Sequence, residues 1–150
     1  MVCPADIVLV VDMSIYTPRR TDFVTMQLFL TQLVSRLDVD SGKTRVGLVT
    51  FAAKVGDVFN LTDYSSLETL QPAIWSLNYT GGSTTNTAGA LDYVRTRMLT
   101  EEAGDRDNVH NIVIVITDGR SNNFTATVVS IEFIVLLILI AQYVGVRWFC

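Results

Sequence analysis

Histidine occurs once in this chain and cysteine twice. Cys3 and Cys150 stand at opposite ends, and neither falls in a metal-binding or redox spacing. The single His110 has no Cys, Glu or Ser partner in a recognisable catalytic arrangement and reads as a surface residue. No nucleophile elbow or zinc spacing occurs, and Gly81-Gly82 lacks the Lys-Ser/Thr that a phosphate-binding loop needs. Catalysis is therefore not expected. Basic residues are also scarce. Lys and Arg number 11 against 15 Asp and Glu, a formal charge of −4, with no basic cluster. That balance argues against nucleic acid as a partner. Mild acidity suits a basic partner or a bridging cation, and it equally serves solubility. Internal repeats are missing, and no signal peptide precedes Cys3, so the chain reads as a piece of a longer protein.

What is present is apolar surface in ordered runs. Hydrophobic residues make up 49% of the 150 and charged residues 17%, enough for one domain with a substantial core. Ile7 to Val11 and Ile112 to Ile116 are continuous β-branched runs, the signature of central strands in a parallel sheet covered on both faces. A second strand is expected over Arg45–Ala52, and a short antiparallel edge strand over Lys54–Leu61. Helical spacing of Phe23, Met26, Leu30, Leu33, Val34 and Leu37 predicts a helix from about Asp22 to Leu37. Ser65-x-x-Glu68 reads as a capping box opening a helix to about Leu77, with Trp75 in the core. A helix from about Asn86 to Leu99 would turn Ala90, Leu91, Val94 and Met98 inward. The alternation of strands and helices gives an α/β fold, a doubly wound and mostly parallel sheet.

Three polar clusters punctuate these elements. They are Asp12-Met13-Ser14, Thr85-Asn86-Thr87 and Thr117-Asp118-Gly119. The first and third follow the two apolar runs. A carboxylate at the C-terminal end of a central strand is costly to bury unless it faces the crevice where α/β sheets bind ligands. Aspartates, a serine and threonines gathered there would form an all-oxygen site suited to magnesium, manganese or calcium.

Asp12-x-Ser14, Thr85 and the Thr117-Asp118-Gly119 turn resemble the metal-ion-dependent adhesion site of von Willebrand factor type A domains. The resemblance runs over about residues 5 to 123 and includes Ala5–Asp12, Val46–Phe51 and Gly81–Leu91. The resemblance is to the extracellular-matrix or integrin-like kind, collagen VI- or matrilin-like. It implies a Rossmann-like fold, here without its last strands, and a division into an incomplete domain over 1–125 and an apolar tail over 126–150. It implies metal contacts from Asp12, Ser14, Thr85 and Asp118, with the Ser14 hydroxyl on the ion and an aspartate holding it through water. The ligand would be an extracellular matrix protein such as collagen, offering an acidic residue to the ion. The family pattern wants a serine at the position of Tyr16. A phenol oxygen lies too far from the backbone to replace it, so cation binding should be weak or lost, and Tyr16 becomes a candidate for the ligand surface. Bland alternatives stand beside each role: Asp12 as a turn cap, Thr84, Thr85 or Thr87 as a helix cap, Asp118 as a strand-ending turn residue. A metal-free assembly module and an inactive fragment are the alternative functions.

Secretion is the expected route. Asn60-Leu61-Thr62, Asn78-Tyr79-Thr80 and Asn123-Phe124-Thr125 are candidate N-glycosylation sites. Matrix proteins with this domain often pair cysteines that flank its two ends, and Cys3 sits where the first of such a pair would be. Val128 to Val146 is a 19-residue apolar stretch with one Glu, one Gln and one Ser. As a helix it would roughly span a bilayer, giving a membrane-anchored alternative in which Cys3 and Cys150 could not pair. Tyr143 to Val146 faintly resembles a fifth strand.

Overall fold

The computed structural model describes residues 3–14, 20–117 and 136–140. Strand β1 (Ala5–Asp12) lies at the centre of a five-stranded sheet, buried along nearly its whole length. It pairs in parallel with β2 (Thr44–Phe51) on one side and with β4 (His110–Thr117) on the other. Strand β3 (Val55–Phe59) closes the β2 edge antiparallel, and β5 (Leu136–Ile140) runs parallel to β4. The order is β3-β2-β1-β4-β5. Chain order thus moves outward from β1 in one direction, then crosses to the other, the pattern of a doubly wound sheet.

Strand periodicity divides the core into two layers. Ile7, Leu9 and Val11 point to one face with Leu48, Ile114 and Ile116. Helices α1 (Arg20–Val34) and α2 (Leu67–Trp75) cover that face through Leu30, Val34, Leu70 and Ile74. Val8 and Val10 point to the other face with Val49, Val113 and Val115. Helix α3 (Thr87–Tyr93) covers it through Ala90 and Leu91. Ile7, Leu9, Val11, Val46, Leu48, Val49, Val113 and Val115 are all buried, and Ile112 is partly so.

Helix α3 continues as a π-turn over Val94–Met98, closed by Leu99 N–H donating to the Val94 carbonyl at 2.9 Å. The inward set Ala90, Leu91, Val94 and Met98 is buried as the spacing predicts. Helix α2 departs from expectation at both ends. Its N-cap is Ser66, whose side chain makes no cap bond. The Leu67 N–H is instead taken by Asp40 Oδ1 at 2.8 Å, so a tertiary acceptor does what the capping box was expected to do. Trp75 is 45% exposed and not core. It follows Ile74 by one residue, about 100° around the helix, outside the stripe formed by Leu70 and Ile74.

Strand β5 corrects the reading of the apolar tail. Its five residues pair with Val113 through Thr117, so β4 is not an edge strand. A continuous helix over 128–146 is excluded by the strand within it. Among the described residues no helix is long and apolar enough to cross a membrane.

The lower end of the sheet is held by one ion pair. Asp6 is fully buried, and Arg106 grips it with Nη2 to Oδ1 at 2.6 Å and Nε to Oδ1 at 2.9 Å. The Arg106 N–H adds a bond to Oδ2 at 3.0 Å. The same guanidinium donates to the Lys43 and Ala5 carbonyls, tying the starts of β1 and β2 to the approach to β4.

Candidate functional site

Strand β1 ends at Asp12, which is 3% exposed and lies at the upper end of the sheet. Met13, also buried, donates its N–H to the Phe51 carbonyl at 2.7 Å, which carries the chain over the top of β2 before it turns. Asp12 Oδ1 then accepts from the Ser14 N–H at 2.8 Å and from the Ser14 hydroxyl at 2.5 Å. This closes the turn that the strand end needs. The turn-capping role and the clustering of oxygens are therefore both realised by the same carboxylate.

Thr85 arrives from the loop before α3. Gly81 and Gly82 have φ of 60° and 145°, conformations that side-chain-bearing residues rarely adopt. A Cβ on Gly82 would lie 3.3 Å from that of Ala52, so the loop passes close over the end of β2. Asn86 N–H donates to the Ala52 carbonyl at 2.9 Å and fixes the approach. Asn86 also caps α3, accepting from the Gly89 N–H at 3.1 Å. The threonines are thereby released from the capping role that the sequence left open for them. Thr85 Oγ1 stands 2.6 Å from Ser14 Oγ across 71 residues of sequence. Because the Ser14 proton is committed to Asp12, Thr85 is the donor in that pair.

Thr117 completes the cluster. Its hydroxyl donates to Asp12 Oδ2 at 2.6 Å. The parallel register aligns Val11 with Ile116. Thr117 therefore lies beside Asp12 and shares its face. That pairing was the signal by which Thr117 itself, and not only Asp118 after it, could have been named as part of the site.

The structure thus brings together three predicted residues, Asp12, Ser14 and Thr85, and adds Thr117. Asp118, Tyr16, Asn123 and Cys150 lie outside the described residues. Cys3 is engaged in a disulfide. His110 is exposed, as expected. Asn78 is exposed with its amide 3.4 Å from Asp57 Oδ1, and Asn60 is half-buried in the turn after β3.

The donor set is oxygen throughout: one carboxylate and three hydroxyls, with Asp12, Ser14 and Thr85 each at most 9% exposed. Among the described residues no three His, Cys, Asp or Glu side chains cluster. An octahedral magnesium ion holds oxygens at about 2.0–2.1 Å, which sets neighbouring ligand oxygens roughly 2.9 Å apart. Ser14 Oγ and Thr85 Oγ1 are already 2.6 Å apart, so adjusting both by tenths of an ångström and turning one proton outward suits them to a shared hard cation. The residues present fit such an ion.

Comparison with known proteins gives a consistent family. The von Willebrand factor type A domain family matches residues 6–138, a span that includes β5. The chain is 38% identical over 122 residues to the collagen alpha-4(VI) chain of Mus musculus, covering 80% of this chain and 5% of that protein. It is 36% identical over 120 residues to matrilin-1 of Bos taurus, covering 78% and 22% respectively. Integrin alpha-2 of Mus musculus is 31% identical over 125 residues, covering 81% and 10%. The chain therefore spans under a quarter of each of these relatives. Among solved structures, proximal thread matrix protein 1 from the mussel byssus, with a zinc-occupied MIDAS motif, superposes with a TM-score of 0.83. That likeness covers 91% of this chain and 37% of the other at 21% identity, and it carries the fold alone.

Proposed function

We propose, from the premise that the chain belongs to the von Willebrand factor type A domain family, that it is an extracellular protein-binding module. Its upper site takes a divalent cation and, through it, an acidic side chain of a matrix protein such as a collagen. The observation that carries this reading is the Thr85–Ser14–Asp12–Thr117 chain of oxygens, each link at 2.5–2.6 Å. Its relatives among collagen VI, matrilin and integrin chains support an extracellular setting. The module binds and does not catalyse.

Each residue has a distinct part. Ser14 and Thr85 offer neutral oxygen lone pairs directly to the ion, magnesium or manganese in preference to calcium. Thr117 and the Ser14 N–H hold the two Asp12 oxygens in fixed orientation. Asp12 supplies negative charge, and Asp118 is assigned a supporting role beside it. Hydroxyl ligands leave the ion most of its positive charge, and the bound ion supplies the Lewis acidity that captures a carboxylate from outside. Tyr16 stands where a further hydroxyl ligand is expected, so affinity is weak.

A second reading has its own support. The hydroxyls and Asp12 satisfy one another without any ion, so a metal-free assembly module would keep the same geometry. Calorimetric titration with magnesium and manganese separates the two. The adhesion reading expects weak binding by the native chain, tighter binding by Tyr16→Ser and none by Asp12→Ala. Equal heats from all three proteins would establish the metal-free module.

A further inference from the structure

On the α3 face, away from the cation site, the turn after β3 places Asn60 on the wall of a recess of about 490 Å³. Tyr93, Thr96, Arg97, Thr100 and Glu102 line it as well. The π-turn over Val94–Met98 shapes one side, since an extra residue per turn pushes the backbone outward. Thr96 donates its hydroxyl proton to the Asp92 carbonyl at 2.7 Å and keeps lone pairs to accept with. Thr100 accepts from the Ala103 N–H at 3.3 Å and keeps a proton to give. Arg97 contributes donors and Glu102 acceptors, and their charges cancel. Such a wall recognises a neutral ligand rich in hydroxyls, because each sugar hydroxyl both donates and accepts. The recess is open to solvent and its lining is more polar than apolar, a surface on which a tethered sugar can rest.

Asn60 opens the sequence Asn60-Leu61-Thr62. Its backbone is fixed at both polar groups: the N–H donates to Asp63 Oδ2 at 2.7 Å and the carbonyl accepts from the Asp63 N–H at 3.2 Å. Leu61 is 1% exposed and anchors the turn, while Thr62 is exposed. Among the described residues the Asn60 carboxamide has no hydrogen-bond partner. The Asn78 amide differs, being turned toward the Asp57 carboxylate.

We propose that Asn60 carries an N-linked glycan whose first sugars seat in this recess. Asn60 Nδ2 forms the bond to the anomeric carbon of a lipid-diphosphate-linked oligosaccharide. The sugar–oxygen bond to the diphosphate breaks, the diphosphate leaves with its electron pair, and the amide gives up one proton. The proposal rests on the extracellular reading, since the donor is met only on entry to the secretory route.

The test expresses the full chain in cultured secretory cells behind an added signal peptide, so that entry does not depend on the chain's own route. Glycopeptide mass spectrometry then reads Asn60 occupancy. Enzymatic release of the glycan is timed on native and on denatured protein, for the native sequence and for Arg97→Ala. Arg97 is exposed, so its replacement leaves the fold intact. The expected result is an occupied Asn60, glycan release several-fold slower from native than from denatured protein, and a smaller gap in Arg97→Ala. An unmodified Asn60, or equal release from native and denatured chains, overturns the proposal. Either outcome leaves the cation titration unaffected, so it does not bear on the adhesion site.

Discussion

Two aspartates stand six residues apart on β1, on the same face and both buried, yet their surroundings are opposite. Asp6 at the lower end is wrapped by Arg106, a cation that belongs to the fold. Asp12 at the upper end receives two hydroxyls and one amide, and among the described residues no basic group pairs with it. Burying a carboxylate demands compensation. At Asp6 the chain provides a full charge. At Asp12 it provides only dipoles, which leaves a net negative site at the mouth of the sheet. One strand therefore carries a structural carboxylate and, in the function proposed above, a second that receives a cation from outside.

The comparison predicts a ranked series of losses. Arg106→Met should be the most damaging, about 3–5 kcal/mol, because it strands the buried Asp6 charge and frees the Ala5, Gly42 and Lys43 carbonyls. Urea unfolding followed by circular dichroism measures it; a loss below about 1 kcal/mol would show that the lower pair is not structural. Leu9→Ala, midway between the aspartates and fully buried, should cost about 2–5 kcal/mol whether or not cation is present. Asp12→Ala should cost less without cation, about 1–3 kcal/mol, since only neutral donors lose their acceptor. It should nonetheless remove cation binding altogether. Thr117→Val should be mildest, roughly 0.5–1.5 kcal/mol, with cation affinity reduced but present. If Asp12→Ala proved more destabilising than Arg106→Met, the division of roles between the two ends would be wrong.

Much of this was legible in the chain. Ile7 to Val11 and Ile112 to Ile116 announced central strands, because only strands covered on both faces have no polar side to show. Asp12, Ser14 and Thr85 were identifiable as one site because each polar cluster is tied to the end of an element. What escaped the sequence depends on partners far away in it. Asp40 accepts the first α2 N–H in place of the expected Ser65 cap, and nothing local to Ser65 signals that. Trp75 follows Ile74 in sequence but turns away from the core, and the end of a short helix gives too few residues to fix its stripe. Strand β5 lies inside an apolar run long enough to resemble a membrane helix. A short apolar strand and an apolar helix share that pattern, and only the pairing with β4 separates them. Thr117 needed the β1–β4 register, which is a property of the sheet.

Unfolding free energy measured with and without manganese, on the native chain and on Asp12→Asn, tests the central claim most directly. A ligand that binds only the folded state at ten times its dissociation constant adds about 1.4 kcal/mol. The account predicts a gain of that order for the native chain at saturating manganese, none for Asp12→Asn, and little difference between the two proteins when the metal is chelated. The same manganese response in both proteins, or no response in the native chain, would contradict it.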